Sequence, residues 1–188
     1  MSCILNIETS TAVCSVAVSN DGECIFNAED HDGPNHAVKL GTFVDEALSF
    51  ADSHALPLDA VAVSCGPGSY TGLRIGVSLA KGLCVGWGVP LIAVPTPEVI
   101  AAMAQKVHRR TDCLYCALID ARRMEVYATL FDGNLKPLCE TRPEIITPES
   151  FATELADADV CFCGDGAEKC RDVIRSPRAS FLGQITPV

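Results

Sequence analysis

Cys163-Gly164-Asp165-Gly166, late in the chain, repeats the pattern of Cys65-Gly66-Pro67-Gly68 near its middle. Reading outward from the two tetrapeptides brings out a longer repetition. Each is preceded by a short apolar run with strand character, ending at Cys65 in one case and at Cys163 in the other. Further upstream in each copy, an apolar strand ends in an acid, Ile4 to Glu8 and Leu114 to Asp120. A small or polar loop follows, Thr9 to Ala12 and Ala121 to Met124, and then an alternating strand. That strand carries Cys14, Val16 and Val18 in the first copy and spans Glu125 to Phe131 in the second. It closes on a tight-turn signal, Asn20-Asp21-Gly22 and Asp132-Gly133, with the acids and the turn glycines offset by nearly the same distance. Repetition of this kind narrows the available folds sharply.

Between the landmarks, Glu23 to Ala28 reads as a third strand. After the break at Gly33-Pro34-Asn35, the run Ala37, Leu40, Val44, Ala47, Leu48 and Ala51 has helical period. A second helix follows the glycine turn and runs to about Trp87, Leu91 to Val94 is a strand, and Thr96 caps a third helix with Pro97 and Glu98 in its first turn. A further helix is expected after Thr147. Two copies of strand, hairpin, strand, helix, strand and glycine turn describe an α/β protein with a duplicated ribonuclease-H-like architecture, the type found in actin, sugar kinases and heat-shock ATPases. The expected lobes are residues 1–108 and a smaller 109–188, the second reduced or truncated because little chain follows Pro187. Such folds hold nucleotide phosphates between lobes, which gives a place to look and not an activity.

Composition sets further limits. Of 188 residues 48% are hydrophobic and 20% charged, enough to bury a core. Fourteen Lys and Arg against 24 Asp and Glu leave a net charge of −10, which argues against this chain gripping a polyphosphate backbone by itself. No signal-like segment precedes Met1-Ser2-Cys3-Ile4, and no apolar run approaches the roughly 18 residues of a membrane span. A cytoplasmic protein without membrane contact is expected. In that setting the 11 cysteines read as buried thiols. Cys113 with Cys116 and Cys161 with Cys163 lie in strand-like runs, where spacings of three and two do not form a zinc knuckle.

The segment Gly66-Pro67-Gly68-Ser69-Tyr70-Thr71-Gly72-Leu73-Arg74-Ile75-Gly76 admits two readings. Glycines let backbone amides approach an anion at a helix N-terminus, with Ser69 or Thr71 capping, so Gly66, Gly68 and Ser69, with Gly164 and Gly166 in the second copy, are candidate anion contacts. Alternatively the glycines only allow a tight strand-to-helix turn. The spacing is neither that of a P-loop nor that of a dinucleotide fingerprint. Glu8 and Asp120, with Thr9 and Ser10 beside the first, end strands where a carboxylate can hold a metal-bound phosphate or accept hydrogen bonds from its own loop. Arg122 and Arg123 can neutralise Asp120, grip an anion or form a solvated turn. In the second helix Arg74, Ser78 and Lys81 make one narrow polar stripe, and Gly72, Gly76 and Ala80 make a small-residue stripe that faces either the core or another helix. His31, His36, His54 and His108 form no i, i+4 pair and no H-E-x-x-H, so no metal is expected, and a serine-hydrolase elbow is missing too.

Ile7-Glu8-Thr9-Ser10, His36 at the first helix, Gly66 through Arg74, Ile119-Asp120-Ala121-Arg122 and Glu125-Val126-Tyr127 together resemble the bacterial TsaB family, also called YeaZ. The likeness runs in order from about Ile4 to Gly166. It implies a subunit with no catalytic site and no cofactor of its own, ATP or ADP entering only with the complex. The subunit would pair with a catalytic paralogue, TsaD, through the first two helices. His36, Leu40, Val44, Gly72, Arg74, Gly76, Val77, Ala80 and Leu83 would supply the contact, and a homodimer would form in isolation. With the ATPase TsaE, that pair threonylcarbamoylates the adenosine next to the anticodon of tRNA, which the complex rather than this chain would hold. Family members continue past this point with a further helix. An autonomous ATP-dependent phosphotransferase or ATPase using Glu8 and Asp120 is the competing expectation, and endopeptidase activity has no ligand set to support it.

Overall fold

A computed structural model describes residues 2–33 and 35–188, so Met1 and Pro34, quoted above, lie outside the described residues. The chain divides into two compact units, one ending at Thr96, with Val188 grouped into it, and the other spanning Pro97–Pro187.

In the first unit, β1 (Cys3–Glu8), β2 (Cys14–Asn20) and β3 (Glu23–Asp30) form an antiparallel meander. Helix α1 (His36–Ser53) leads to β4 (Ala60–Ser64), helix α2 (Tyr70–Trp87) and β5 (Leu91–Val94). The sheet order is β3-β2-β1-β4-β5, with β4 and β5 parallel to their neighbours. Asp21 and Gly22 both have positive φ, as the tight turn after β2 requires. The pleat sorts the residues of β1: Cys3, Leu5 and Ile7 are buried, while Ile4 and Asn6 are half-buried. The buried set packs with Val61 and Val63 of β4, Leu40, Val44 and Ala47 of α1, and Ala80 of α2. Ser69 caps α2 by accepting the Gly72 N–H at 3.3 Å, and Gly88 ends the helix in left-handed conformation at φ 69°.

The second unit repeats the topology. Helix α3 (Thr96–His108) leads into β6 (Leu114–Asp120), β7 (Glu125–Phe131) and β8 (Arg142–Ile145). Helix α4 (Ala152–Asp157), β9 (Val160–Cys163), helix α5 (Ala167–Cys170) and β10 (Ala179–Leu182) follow. The sheet order β10-β9-β6-β7-β8 places β6 centrally, with an antiparallel meander on one side and parallel strands on the other, as around β1. The fold is therefore the duplicated ribonuclease-H-like one, each unit built on the same strand order. Helices α4 and α5 have 6 and 4 residues against 18 in each of α1 and α2, so the second unit is the leaner copy.

Three features differ from the sequence reading. Helix α3, assigned there to the first lobe of residues 1–108, packs in the second unit, because Ile100, Ala101 and Ala104 cluster with Tyr115, Ala117, Ile119, Cys161 and Cys163 on one face of its sheet. Thr147 does not open a helix: its N–H donates to Ser150 Oγ at 3.0 Å in a turn, and α4 starts at Ala152. β8 and β10, which the sequence reading left unassigned, complete the second sheet. Pro143 is accommodated in β8 because that strand lies at the sheet edge.

Candidate functional site

Glu8, at the end of β1, is buried. Its carboxylate accepts the Ser10 N–H at 2.6 Å and the Ser64 hydroxyl from β4. The neighbouring loop is also enclosed: Thr9, Ser10 and Thr11 are buried, and the Ser10 carbonyl accepts the Ser69 N–H at 2.6 Å. The hydroxyls of Thr9, Ser10 and Thr96 are buried and have no hydrogen-bond partner among the described residues. The first acid thus belongs to a closed arrangement that fastens its own loop to the start of α2.

The glycine segment seals that arrangement. A Cβ on Gly68 would stand 2.3 Å from the Ser10 carbonyl oxygen, one on Gly72 2.2 Å from the Thr9 carbonyl oxygen and one on Gly76 2.2 Å from Thr9 Oγ1. Each distance is far below van der Waals contact, so these positions admit only hydrogen as a side chain. Gly66 is also left-handed, at φ 101°. In the second copy, Gly164 at φ 102° would place a Cβ 2.4 Å from the Leu118 carbonyl oxygen, and the Gly166 N–H donates to the same oxygen at 3.1 Å. Both glycine turns therefore supply close backbone packing.

Most residues of the expected partner surface are buried within their own unit. Gly72, Gly76 and Ala80 are the buried face of α2 and lie in the interior of their own unit; Gly72 and Gly76 pack on the β1 loop. His36, Leu40 and Val44 are buried in the same way on α1, and His36 Nε2 donates to the Val13 carbonyl at 3.2 Å. Val77 and Leu83 are half-buried against the core, which leaves Arg74 as the exposed residue of that set.

Asp120, at the end of β6, is engaged differently. Lys169 of α5 pairs with its Oδ1 and donates to the carbonyls of Arg123 at 3.0 Å and Glu125 at 2.6 Å. The Arg122 N–H donates to Asp120 Oδ1 at 2.8 Å, and the Asp120 N–H donates to Asp165 Oδ1 at 2.9 Å. Partial burial pushes the Asp120 carboxyl up, but the hydrogen bond from Lys169 and the Arg122 amide outweigh it and hold it below the usual carboxylate range. Burial raises the neighbouring Asp165. Arg122 and Arg123 form the hairpin tip with left-handed backbone, at φ 71° and 46°.

A family model described as TsaD, tRNA N6-adenosine threonylcarbamoyltransferase, matches residues 32–176. The chain is 39% identical over 125 residues to the tRNA threonylcarbamoyladenosine biosynthesis protein TsaB of Escherichia coli, covering 66% of this chain and 52% of that one. The chain belongs to the TsaD family, in its TsaB (YeaZ) group. Identity to TsaB of Bacillus subtilis is 36% over 128 residues, 68% of this chain and 54% of that one. YeaZ from Pseudomonas aeruginosa superposes with a TM-score of 0.80 at 27% identity, over 100% of this chain and 86% of that chain. The chain spans about half the length of the curated TsaB relatives it matches.

The outer face of α2 in this TsaB-group chain is open to solvent. Tyr70 is 75% and Val85 85% exposed, and Arg74, Ser78 and Lys81 share that face. Arg74 lies over the Tyr70 ring, 5.5 Å from its centroid, and donates to the Tyr70 hydroxyl at 3.1 Å. A shallow groove of about 530 Å³ is lined by Tyr70, Thr71, Arg74, Ile75 and Ser78. Exposed aliphatic and aromatic side chains flanking a stacked arginine make a composition suited to protein contact. This outward face carries the Arg74, Ser78 and Lys81 stripe read from the sequence, whereas Lys169 escaped that reading because nothing local links it to Asp120.

Among the described residues no three His, Cys, Asp or Glu side chains converge on a metal site, and no helix is long and apolar enough to cross a membrane. The 11 cysteines are free thiols, and Cys113, Cys116, Cys161 and Cys163 are all buried. Burial pushes Cys14, Cys161 and Cys170 up to about 11, so these thiols stay protonated at neutral pH.

Proposed function

We propose that this chain is a non-catalytic subunit of a tRNA N6-threonylcarbamoyladenosine transferase complex, which binds and activates a TsaD-type catalytic paralogue. In that complex, with a TsaE-type ATPase, the paralogue modifies the adenosine next to the anticodon, and tRNA is held by the assembly. The chain brings no cofactor of its own, works in the cytoplasm, and self-associates when the paralogue is missing. ATP or ADP enters with the complex.

One observation carries this reading. Both strand-end acids of the duplicated fold are already engaged by the protein's own donors: Glu8 by the Ser10 amide and Ser64 hydroxyl, Asp120 by Lys169 and the Arg122 amide. Carboxylates held this way are structural fasteners, poorly placed to bind a metal or orient water. The names of the similar TsaB proteins support the pathway, and the net charge of −10 supports a partner as the holder of tRNA. The partner surface is the exposed face of α2 around Tyr70, Arg74 and Val85.

The test is a leave-one-out reconstitution with tRNA, ATP, threonine, bicarbonate, the carbamoyl-AMP-forming enzyme, the paralogue and the ATPase, scoring modified adenosine by mass spectrometry. Modification that requires this chain, with no ATP consumption by the chain alone, is the expected result. Steady ATP turnover by the chain alone, abolished by Asp120→Asn, would overturn it in favour of an autonomous enzyme.

A further inference from the structure

The tip of the β6–β7 hairpin carries two adjacent arginines, Arg122 and Arg123, both exposed. Their backbone is left-handed, at φ 71° and 46°, a conformation that glycine and asparagine adopt readily and a longer side chain adopts at a cost. The tip is fastened in that shape. Ala121 N–H donates to the Glu125 carbonyl and Glu125 N–H to the Arg122 carbonyl, each at 3.1 Å. Lys169 donates to the Arg123 and Glu125 carbonyls while it pairs with Asp120. Arg122 meets Asp120 through its amide, and its guanidinium acts on that carboxylate at longer range. Among the described residues neither guanidinium makes a hydrogen bond or salt bridge, whereas Arg110, Arg142 and Arg171 pair with carboxylates and Arg175 and Arg178 donate to carbonyls.

The sheet beside this tip is open. Ile119 of β6 stands opposite Tyr127 of β7, Tyr127 opposite Pro143 of β8, and Glu125 opposite Ile145. By the pleat, Tyr127, Pro143 and Ile145 share the face on which Ile119 packs under α3. That cover does not reach the tip end of β7 and β8, where Tyr127 is 38% and Ile145 70% exposed. Fork-shaped donors on a fixed tip match phosphate oxygens, and an exposed ring on a sheet face stacks a base. The face of α2 assigned to the paralogue belongs to the first unit, which leaves this end of the second unit for another ligand.

We infer that the β6–β7 tip is an RNA contact: Arg122 and Arg123 take backbone phosphates, and Tyr127 stacks an unpaired base of the tRNA. The inference rests on the assignment to a tRNA-modifying complex. With a net charge of −10 the chain adds one local contact to an RNA that the assembly holds.

The test measures tRNA binding by the complex of the full chain, the paralogue and the ATPase across a salt series. It compares wild type, Arg122→Asn with Arg123→Gly, and Tyr127→Leu. Asn and Gly suit the left-handed tip, so the double variant should unfold no earlier than wild type. It should bind tRNA roughly tenfold more weakly at about 0.15 M salt, with the slope of log K against log salt shallower by about 1 for each arginine lost. Tyr127→Leu keeps the apolar contact with Ile119 and should weaken binding by about tenfold with the slope unchanged. If the wild-type chain does not assemble, or the assembly does not modify tRNA, the functional reading fails and takes this inference with it. If wild type assembles and modifies tRNA while either variant binds tRNA as wild type does, this inference alone is overturned. Loss of assembly in the arginine variant would make the tip a protein contact and overturn it equally.

Discussion

Thr9 and Gly76 are pressed together so closely that a Cβ on Gly76 would stand 2.2 Å from Thr9 Oγ1. The loop after the first strand and the second helix are therefore one packed unit, and the glycines of α2 fall into two classes. Gly72 and Gly76 face the loop, whereas Gly82 and Gly86 face open space with nothing within 4 Å.

Gly72→Ala should destabilise the chain by about 1–3 kcal/mol, since its methyl group meets the Thr9 carbonyl oxygen and backbone must shift. Gly82→Ala and Gly86→Ala should instead stabilise it by about 0.5–1 kcal/mol through helix propensity alone. Urea unfolding of the three variants checks the pair of signs. Equal behaviour would mean that α2 is rotated from the orientation described.

Glu8→Ala leaves the buried Ser10 amide and Ser64 hydroxyl without their acceptor. The expected loss is about 1.5–3 kcal/mol of stability, with Glu8→Gln losing less because its amide oxygen still accepts. The same unfolding experiment reads it. A stability loss with unchanged adenosine modification in the reconstituted complex separates fastening from chemistry.

Thiol reactivity should split by position. Brief alkylation at pH 8 should label the exposed Cys24 and Cys65, while the buried Cys3, Cys14, Cys113, Cys116, Cys161, Cys163 and Cys170 react only after urea is added. Burial raises Cys14, Cys161 and Cys170 to about 11, so raising the pH to 9 should leave them mostly protonated and unlabelled. Peptide mapping by mass spectrometry gives the answer.

On the outer face of α2, Arg74→Glu and Val85→Asp should each weaken capture of the TsaD-type paralogue, while shifting stability by no more than about 0.5 kcal/mol. Gel filtration of the mixed proteins, beside thermal unfolding of each variant alone, measures both. Intact pairing by both variants would move the partner surface off this face.

Much of this was legible along the chain. The alternation in β1 and β2, the Asp21-Gly22 turn, the Ser69 cap and the return of an acid and a C-G-x-G turn in the second half are each encoded within a few neighbouring residues. Pattern reading therefore reached the two-copy architecture and placed Glu8 and Asp120 at their strand ends. β8 and β10 were not legible, because Arg142-Pro143-Glu144-Ile145 and the short segment at Ala179 become strands only by pairing with β7 and β9.

The order of elements, the duplication and the positions of the two acids were thus determined by the sequence itself, through short-range periodicity and turn chemistry. Which side of α2 faces inward was decided only in three dimensions. That helix is apolar nearly all the way round, so its rotation follows from the fit of Gly68, Gly72 and Gly76 onto the distant backbone of Thr9 and Ser10. The pairing of Lys169 with Asp120 has the same origin. An ion pair between separate segments forms because α5 packs beside the end of β6, and no local pattern records it.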